Sequence, residues 1–500
     1  MRRVLSVVLI LILVSCQVYA LGENRLYSMA GYEADTAGHV WDDNLFFRRM
    51  TEKTGVEFTF HQETSSEEWT RYKQNLLKGE DLPDVLFKAE LTPQETESLY
   101  AAGILIDLKP YLETSAPNLY ALLKSNPEWE KDITLNDGAI AALPQINPLT
   151  SNNLIWINAT WLHRLNLDMP ATAEELTEVL RAFRDQDPNR NGQKDEVPLV
   201  FTGMFDLRFL AHAFGFIGND FYVEVNDDGQ LIMDLQQDGY RDFLAWLHDM
   251  HTEKLLDSGG LTSLDSTRQI TDSKATINYG IVFGPTCMSM VPSSAVSDYD
   301  VLLPLQYNGK QVYRELLGDI IRGTFAITRA CENPGDLLKW VDELYAEEGC
   351  FLATTGKLGE EYELTSDGLW YWVDDLETVQ SSVLKDATIA EGSATPLYMA
   401  AEYQMNFDDD STRRTIEQVS AVKKFARLPY PLVSLTEEER KVIGEVWPRL
   451  GEWCEIRLAW FVTGEKELTD ENWADFQKGM NDLGLDRVMT VLRQAMERRK

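Results

Sequence analysis

The residues with the clearest capacity for chemistry lie in one short segment, from Asp187 to Glu196. Oxygen-bearing side chains stand at alternate positions there, Gly192 permits a sharp turn, and two acidic residues close the segment. Calcium requires six to eight hard oxygen ligands around a tight loop, and this pattern resembles the first half of an EF-hand loop. The predicted calcium ligands are Asp187, Asn189, Asn191, Gln193 through its backbone carbonyl, Asp195 and Glu196.

The segment departs from a complete EF-hand loop at its end. Pro198 occupies the twelfth position, where that loop has a bidentate Glu, so Asp195 or Glu196 must supply the closing carboxylate. A hydrated turn rich in Asn and Gly is the alternative that the local sequence leaves open. Because the segment offers oxygens but no nucleophile, a bound ion would be structural. It would join the helix that ends near Phe183 to the strand that starts at Val197.

Other chemical motifs in the chain are weaker. His248 and His251 have the HxxH spacing of a helix but no evident third ligand, and no GxSxG, HExxH or GxxxxGK[ST] motif occurs. The 81 acidic residues can hide a glycosidase pair, since spacing in the sequence does not reveal one. Trp41 and the segment 370–372 lie in loop-like surroundings and are candidates for stacking on sugar rings, although aromatic residues more often belong to a core.

The elements that must position these residues alternate between strand-like and helical patterns. Residues 56–60 and 154–157 have strand patterns, whereas residues 67–79 and the segment opened by the Thr172 capping box have helical spacing. Alternation of this kind predicts the α/β class with largely parallel sheets, and 500 residues exceed one compact core, so we expect two lobes. Ligands of such sheets bind in a crevice beyond the carboxyl ends of the strands. A second capping box at Thr436 opens a mostly helical C-terminal region.

The N-terminus has the pattern of an export signal. Two arginines precede an apolar run that ends at Val14, which is too short to span a membrane. The tetrapeptide Leu13-Val14-Ser15-Cys16 resembles the lipobox of bacterial lipoproteins, which implies a diacylglyceryl group on Cys16 and a membrane anchor. Cleavage after Ala20 is the alternative, and it would discard Cys16 within a signal peptide of residues 1–20. Both routes place the mature protein outside the cytoplasmic membrane.

Composition excludes several classes of function. The formal net charge of −35 repels phosphate backbones, so the sequence predicts no nucleic-acid partner. After Cys16 the chain has four cysteines, none with CxxC spacing, so neither a zinc site nor a redox site is indicated. Because an exported protein can form disulfides, buried thiols and a disulfide both remain open for these residues. They are Cys287, Cys331, Cys350 and Cys454.

Motifs along nearly the whole chain resemble one family. Residues 161–172 follow the pattern W-L-x-x-L-x-L-x-x-P-x-T, and residues 187–198 follow D-P-N-x-N-G-x-x-D-E-x-P. Further matches are Glu52-Lys53-Thr54-Gly55-Val56, Leu82-Pro83-Asp84, Phe325-Ala326-Ile327-Thr328 and Trp460-Phe461-Val462-Thr463-Gly464-Glu465. The chain thus resembles extracellular solute-binding protein family 1, the lipoprotein components of ABC importers for sugars and oligosaccharides. The resemblance implies a type II periplasmic-binding-protein fold, with two α/β lobes, a ligand cleft between them and a helical C-terminal region.

The resemblance also implies where the chain crosses between lobes and which residues meet a ligand. The first lobe is expected to contain residues 21–147 and 303–375, and the second lobe residues 148–302 and 376–500. The candidate cleft residues are Trp41, Tyr279, Arg322, Trp370 and Trp372. Tyr279 is expected to end a strand at the mouth of a lobe, where core packing is the alternative. Arg322 is a candidate partner for a uronate carboxylate, where a surface ion pair is the alternative.

One position warns against copying ligand specificity from relatives. The family often has Tyr before Ala-Leu-Pro at the first crossover, and here that residue is Ala141. We expect a monomeric, non-enzymatic receptor that captures a carbohydrate by hinge closure and delivers it to the permease subunits of an ABC importer, with structural calcium in the 187–196 loop. The alternatives are an exported glycosidase or lyase acting on polysaccharide, and a sensor subunit that presents bound sugar to a membrane receptor.

Overall fold

A computed structural model describes residues 25–34, 36–149, 152–257, 259–260, 278–287, 290–316 and 318–499. The predicted signal peptide and Cys16 lie outside the described residues. The strands are β1 (Arg25–Tyr32), β2 (Val56–Glu63), β3 (Val85–Phe87), β4 (Leu143–Ile146), β5 (Leu154–Asn158), β6 (Val197–Leu199), β7 (Val223–Val225), β8 (Leu231–Met233), β9 (Tyr279–Gly284), β10 (Tyr299–Val301), β11 (Tyr313–Arg314), β12 (Ile320–Ile327), β13 (Tyr362–Leu364), β14 (Trp370–Trp372) and β15 (Ala426–Arg427).

The α-helices within the described residues are interspersed with these strands along the chain. They are α1 (Leu45–Thr54), α2 (Ser66–Leu76), α3 (Pro93–Ala101), α4 (Lys109–Ser115), α5 (Pro117–Ser125), α6 (Pro127–Ile133), α7 (Ala159–Leu165), α8 (Ala173–Asp185), α9 (Met204–Leu207), α10 (Asp238–Thr252), α11 (Pro334–Asp342), α12 (Glu347–Thr354), α13 (Leu376–Thr378), α14 (Ala401–Met405), α15 (Asp410–Lys423), α16 (Glu437–Thr463), α17 (Asp470–Asp482) and α18 (Leu485–Arg499).

The first lobe is built on a five-stranded sheet with the order β2-β1-β3-β12-β4. Strands β1, β2 and β3 are parallel, and β12 runs antiparallel to both β3 and β4. Aromatic side chains fill one face of this sheet, with the Trp340 ring 5.1 Å from Phe58 and 5.6 Å from Phe87. The helices α11 and α12, which follow β12 in the chain, contribute side chains to the same core.

The second lobe is built on a four-stranded sheet with the order β10-β5-β9-β6. Strand β5 is antiparallel to both β9 and β10, whereas β6 is parallel to β9. The C-terminal helices α16, α17 and α18 pack against this lobe, since Leu450, Phe476 and Leu492 belong to the same buried cluster as Trp156 of β5. The predicted helical C-terminal region is therefore part of the second lobe.

Two helix starts have the predicted N-caps, but the capping box expected at Thr172 is not reciprocal, because the Glu175 side chain accepts from the N–H of Ala171 instead. The Thr172 side chain accepts a hydrogen bond from the backbone N–H of Glu175, and α8 then buries the predicted core positions. Those positions are Leu176, Val179, Leu180 and Phe183. Thr436 and Glu439 form a reciprocal capping box at the start of α16, which runs for 27 residues. Local sequence therefore decides where both helices begin.

The first crossover lies near its expected position, whereas the second and third lie farther along the chain than expected. The first follows Asn147, whose backbone N–H donates to the carbonyl of Asp319 in the second crossover. The second follows Tyr313 and not residue 302, because Leu305 and Tyr313 belong to the second-lobe core.

The expected third crossover near residue 375 is wrong, because Ile389 and Leu397 belong to the first-lobe core. The chain instead crosses beyond residue 400, where α15 packs on β10 of the second lobe. The apolar residues between 376 and 400 pack on the first lobe, so the crossover lies farther along the chain than expected.

The four cysteines that follow Cys16 are all free and buried, so the thiol alternative holds and the disulfide alternative does not. Burial raises the pKa of Cys287 and Cys331 to about 11, which leaves both as neutral thiols at physiological pH. None of the helices in the described part of the chain is both long enough and apolar enough to cross a membrane.

Candidate ligand crevice and metal loop

In each lobe, the chain segments that cross to the other lobe are joined to the sheet at the edge where its parallel strands have their carboxyl ends. In the first sheet, Ile146 pairs with Ile320 at the edge toward which β1 and β3 run. In the second sheet, Leu154 at the start of β5 pairs with Gly284 at the end of β9. The carboxyl ends of the parallel strands of both lobes therefore lie beside the crossovers. Ligands of α/β sheets bind in such a crevice, which makes it the candidate ligand site.

A cavity of about 280 Å³ lies in this region and is lined from both lobes. We call it the interlobe cavity. Its lining includes Asp220 and Phe221 of the second lobe, Arg314 of the second crossover, Arg322 of β12 and Tyr430. The structure thus brings the predicted cleft residue Arg322 to the boundary between the lobes. Burial lowers the pKa of Arg322, while the nearby Asp132 carboxylate opposes that effect.

Arg314 is a buried cation beside this cavity. Only 3% of its surface is exposed, and its Nη2 donates to Asp220 Oδ1 at 2.6 Å. Among the described residues, its Nε and Nη1 have no hydrogen-bond partner, and its guanidinium carbon lies 5.1 Å from the centre of the Phe209 ring. Burial and the Arg208 guanidinium lower the pKa of Arg314 to about 10, so it remains charged at neutral pH. The cavity wall therefore offers a fixed positive donor.

A buried ion pair holds the first-lobe wall of the crevice. Lys88 Nζ lies 2.7 Å from both carboxylate oxygens of Glu33, and it also donates to the carbonyls of Ile389 and Glu391 at 2.7 Å. These contacts tie the ends of β1 and β3 to the segment that leads to the third crossover. Lys88 and Glu90 both have positive φ, 49° and 46°, and strain of this kind is common at functional sites.

Three further residues near the crevice were not singled out by sequence reasoning: two at strand ends of the first lobe and one in α9 of the second lobe. Tyr32 ends β1, and Glu90 is exposed just after β3. Burial raises the pKa of Tyr32, and the Glu90 carboxylate adds to this effect. Phe205 lies on the second lobe with 41% of its surface exposed, 5.6 Å from the guanidinium carbon of Arg314. The polar residues directly after the buried strand 85–87 were a signal for Glu90. Phe205 had no comparable signal, because it is an aromatic residue in an apolar stretch.

Trp41 is a core residue and not a cleft residue. It has 0% exposure, and its ring lies 5.5 Å from Phe87 and 5.7 Å from Phe47. Its indole N–H donates to Glu33 Oε2 at 3.1 Å, so its polar atom is bonded to the carboxylate of the buried ion pair. The Gly and Asp residues around it indicated a loop correctly, but the loop folds inward and leaves no ring face for a sugar.

Tyr279 lies at the wrong end of its strand for ligand contact. It begins β9 instead of ending a strand, and it pairs with Val197 at the edge opposite the Leu154–Gly284 pair. Its side chain is buried in the second-lobe core, which is the alternative that the sequence left open. The strand that Tyr279 was expected to end would precede it in residues that mostly lie outside the described part of the chain.

Trp370 and Trp372 lie on the first lobe but do not line the interlobe cavity. They belong to β14, which pairs with β13 in a hairpin. Trp372 packs against the small cluster around Val379 and Val383, and Trp370 lines a separate cavity beside the hairpin. Of the five predicted cleft residues, the structure brings only Arg322 to the interlobe cavity.

The predicted metal loop is ordered by its own hydrogen bonds. Asp187 accepts from the backbone N–H of Asn191 at 3.1 Å and from that of Gly192 at 2.9 Å. The side-chain amide nitrogens of Asn189 and Asn191 face the Asp195 carboxylate at 3.3 and 3.0 Å. The loop thus gathers most of the predicted ligands around one turn.

The remaining ligand, Glu196, supplies the test of fit. Both of its carboxylate oxygens are buried without a hydrogen-bond partner among the described residues. Burial raises the pKa of Glu196, and the Asp195 and Asp187 carboxylates add to this effect. A cation would satisfy these oxygens and lower that pKa. No group of three or more His, Cys, Asp or Glu residues within the described chain is arranged to hold a metal, so calcium at this loop also depends on amide and backbone oxygens.

No protein-family model matches the chain. It is 26% identical to the fructooligosaccharide ABC transporter substrate-binding protein FusA of Streptococcus pneumoniae. The matched region of 481 residues covers 90% of this chain and 86% of that protein. The chain is a homologue of ABC transporter substrate-binding proteins. A second relative is the lipoprotein LipO of Bacillus subtilis, 25% identical over 288 residues, or 54% of each chain.

Solved structures show that this substrate-binding-protein homologue has the fold of periplasmic solute-binding proteins. It superposes on FusA in complex with kestose with a TM-score of 0.70 and 23% identity, covering 95% of this chain and 99% of that one. An extracellular solute-binding protein from Bifidobacterium longum subsp. infantis gives a TM-score of 0.78 at 18% identity, covering 95% and 98%. A further FusA structure is of an EF-hand mutant in complex with fructo-nystose. The expected two-lobed α/β fold is confirmed.

Proposed function

We propose that this homologue is an extracytoplasmic receptor that binds an oligosaccharide in the interlobe crevice and delivers it to an ABC importer. The observation that carries the proposal is homology to FusA over 90% of the chain, together with a crevice at the carboxyl ends of both sheets. Closure would be favoured because a sugar that contacts both lobes binds the closed form more tightly than the open form. The relatives are named as binding proteins and not as enzymes, which favours capture over turnover.

Four side chains would make the principal ligand contacts. Phe205 offers an exposed ring for stacking on the apolar face of a sugar. Tyr32 and Glu90 would bond hydroxyl groups from the first lobe, and Arg322 would do so beside the crossover. A few fixed polar groups around an aromatic ring are typical of small-molecule sites. Arg314 would contribute through its charge, since Phe205 and Phe209 flank its guanidinium.

Calorimetry with a panel of defined oligosaccharides tests this function. Kestose, the ligand in a FusA structure, is the first probe, and neutral and uronate-containing oligomers of equal length complete the panel. We expect one-site binding with the sugar recovered unchanged. Glu90→Gln should weaken binding, whereas Glu417→Gln on the exposed face of α15 serves as the matched control. Cleaved sugar in excess of the protein would instead support the glycosidase or lyase alternative.

We propose that the 187–196 loop binds one structural calcium ion. The partnerless Glu196 carboxylate and the EF-hand mutant made in FusA support this assignment. The ligands would be Asp187, Asn189, Asn191, the Gln193 carbonyl, Asp195 and Glu196. The ion would steady the start of β6, which pairs with Tyr279 at the sheet edge opposite the crevice. Its removal should therefore affect stability more than sugar affinity.

We also propose that the receptor is a monomer anchored outside the cytoplasmic membrane by a lipid on Cys16 and that it docks on permease subunits. LipO, a named lipoprotein, supports the anchor by analogy. Mass spectrometry of the native N-terminus tests it, and Cys16→Ala should release the protein from membranes. An unmodified terminus at Leu21 would show cleavage after Ala20 instead. Two permease genes beside this gene would favour import over sensing.

A further inference from the structure

A large cavity on the first lobe has no part in the crevice. Its volume is about 970 Å³, and it lies between α1, α12, the β13–β14 hairpin and α14. We call it the hairpin cavity. It shares no lining residue with the interlobe cavity. Its size is at the upper end of the range for small-molecule sites.

The floor of the hairpin cavity consists of four aromatic rings. Phe351 and Tyr362 stack with their centroids 5.1 Å apart, and Trp370 stands edge-on to Phe351 at 88° and 5.9 Å. Tyr403 lies 5.5 Å from Phe351. At the mouth, Leu358 and Leu364 also line the cavity with about half of their surfaces exposed, 50% and 48%. Such a surface favours a ligand with an apolar body.

The charges around this floor are predominantly negative once the ion-pair partners of its basic residues are counted. Three basic residues line the cavity, and carboxylates already hold each of them. Arg49 pairs with Glu360 and Glu361, Lys53 pairs with Glu343 and Glu348, and Lys357 pairs with Glu360. Two further lining carboxylates, Glu52 and Glu347, form no ion pair with any residue in the described part of the chain.

The unpaired Glu347 acts on the cavity itself. Its carboxylate contributes to raising the pKa of Tyr403 to about 12, with burial as the larger cause. It also contributes to raising the pKa of Tyr362, again after burial. A negative potential thus reaches the aromatic floor, and low-dielectric walls strengthen such a potential within a cavity.

We propose that the hairpin cavity binds an organic cation, an alkylammonium or alkylguanidinium group on an apolar body. The faces and edges of the aromatic floor hold the apolar body, and the cation lies between the ring faces and the carboxylates of Glu347 and Glu52. Cations are attracted to the faces of Trp, Tyr and Phe, most strongly where water is excluded. An anion would meet the unpaired carboxylates, and a neutral molecule would leave them without a counter-charge.

This site is independent of the proposed sugar function. The ligand chemistry has two sources, a free amine or a lysine or arginine side chain of a peptide. Calorimetry with the full-length protein at low salt distinguishes the charge requirement through three six-carbon probes of matched shape. These probes are hexylammonium, 1-hexanol and hexanoate. A fourth probe, lysine blocked at both ends, separates the peptide source from the free amine.

We expect hexylammonium to bind about tenfold more tightly than 1-hexanol, and hexanoate not to bind. Glu347→Gln should remove most of that preference, and Trp370→Ala should weaken both hexylammonium and hexanol. Glu417→Gln, an exposed carboxylate on α15 outside the cavity, should change neither. Saturating kestose should leave hexylammonium binding unchanged, because the two cavities share no residue.

Two results would overturn the proposal. Equal affinities for hexylammonium and 1-hexanol in the native protein would show that the cavity does not select charge. An equal loss of binding in Glu347→Gln and Glu417→Gln would show that only the overall negative charge attracts the amine. Because Glu347 is an exposed residue in the first turn of α12, its conservative variant should fold, and circular dichroism checks this. Blocked lysine binding as tightly as hexylammonium would assign the site to a peptide side chain.

Discussion

Lys88 Nζ lies 2.7 Å from both carboxylate oxygens of Glu33, and both side chains are buried, with 0% and 1% of their surfaces exposed. A buried ion pair contributes little net stability when both partners are present, but the loss of one partner leaves the other charge uncompensated. This pair joins the carboxyl ends of β1 and β3, where the first-lobe wall of the crevice begins. The integrity of that wall therefore depends on two residues that no ligand touches.

Lys88→Ala should lower the free energy of unfolding by about 3–5 kcal/mol, because it removes the ammonium group that compensates the buried Glu33 carboxylate and leaves only His39, whose Nδ1 lies 3.0 Å from Glu33 Oε2. Urea unfolding measures the change. Lys124→Ala is the matched control, since Lys124 pairs with Glu130 on the surface and its loss should cost at most about 1 kcal/mol. Similar losses in the two variants would contradict the importance of the buried pair.

His212 should make stability depend on pH. It is buried, its Nδ1 lies 2.5 Å from the Phe209 carbonyl, and its Nε2 accepts from the backbone N–H of Leu305 at 2.8 Å. Burial lowers its pKa to about 4, so the folded state binds a proton less readily than the unfolded state, whose pKa is about 6.5. The stabilisation is complete above pH 6.5 and is lost as the pH falls toward 4, by about 3 kcal/mol.

Urea unfolding between pH 7 and pH 4 measures this dependence. His212→Gln should flatten the curve over that interval, because Gln has no proton to gain, although it lowers stability at pH 7. An unchanged slope in His212→Gln would assign the pH dependence to other groups.

Chelation should lower the melting temperature of the calcium-loaded protein. A ligand that binds only the folded state stabilises it by about 2.7 kcal/mol at a hundredfold excess over its dissociation constant. Asp187→Ala should remove the sensitivity to chelator, because Asp187 also anchors the turn through Asn191 and Gly192. Differential scanning calorimetry measures both effects. Superimposable melting curves with calcium and with chelator, after verified metal removal, would show that the loop is a hydrated turn that binds no structural calcium.

Phe205→Ala should weaken oligosaccharide binding about tenfold, since ring stacking contributes roughly 1 kcal/mol beyond the area that it buries. Calorimetry measures the affinity. Because Phe205 is 41% exposed, its removal should change the free energy of unfolding only slightly. Tyr111→Ala removes an aromatic residue of similar exposure on α4 and should leave binding unchanged. If both variants bind equally well, Phe205 lies outside the ligand site.

The sequence predicted the fold well because local patterns and family motifs agree. The capping residues Thr172 and Thr436 begin helices as expected, and the alternating pattern over residues 56–60 and the apolar run over residues 154–157 form strands. The third crossover was misplaced because hydrophobic pattern alone does not say which lobe a helix packs on. Val383 and Ile389 are apolar in either arrangement, and only the tertiary structure assigns them to the first lobe.

The ligand site was harder to predict from residue type. Trp41 and Trp370 were chosen as aromatic residues in polar surroundings, yet one is buried and the other lies in the hairpin cavity. Position at the end of a strand is instead the criterion that leads to the proposed ligand residues Glu90 and Tyr32. Tyr279 failed because the direction of β9 relative to the crevice depends on sheet topology, which its own sequence does not contain.

Small-angle scattering with and without a saturating oligosaccharide tests the central claim most directly. The ligand is the tightest binder from the calorimetric panel, and the sugar is recovered afterwards for analysis. A receptor that closes on its ligand should show a smaller radius of gyration with the sugar bound, and the sugar should be recovered intact. An unchanged radius of gyration at saturation, or a cleaved sugar, would contradict the account of a receptor that works by closure of its two lobes.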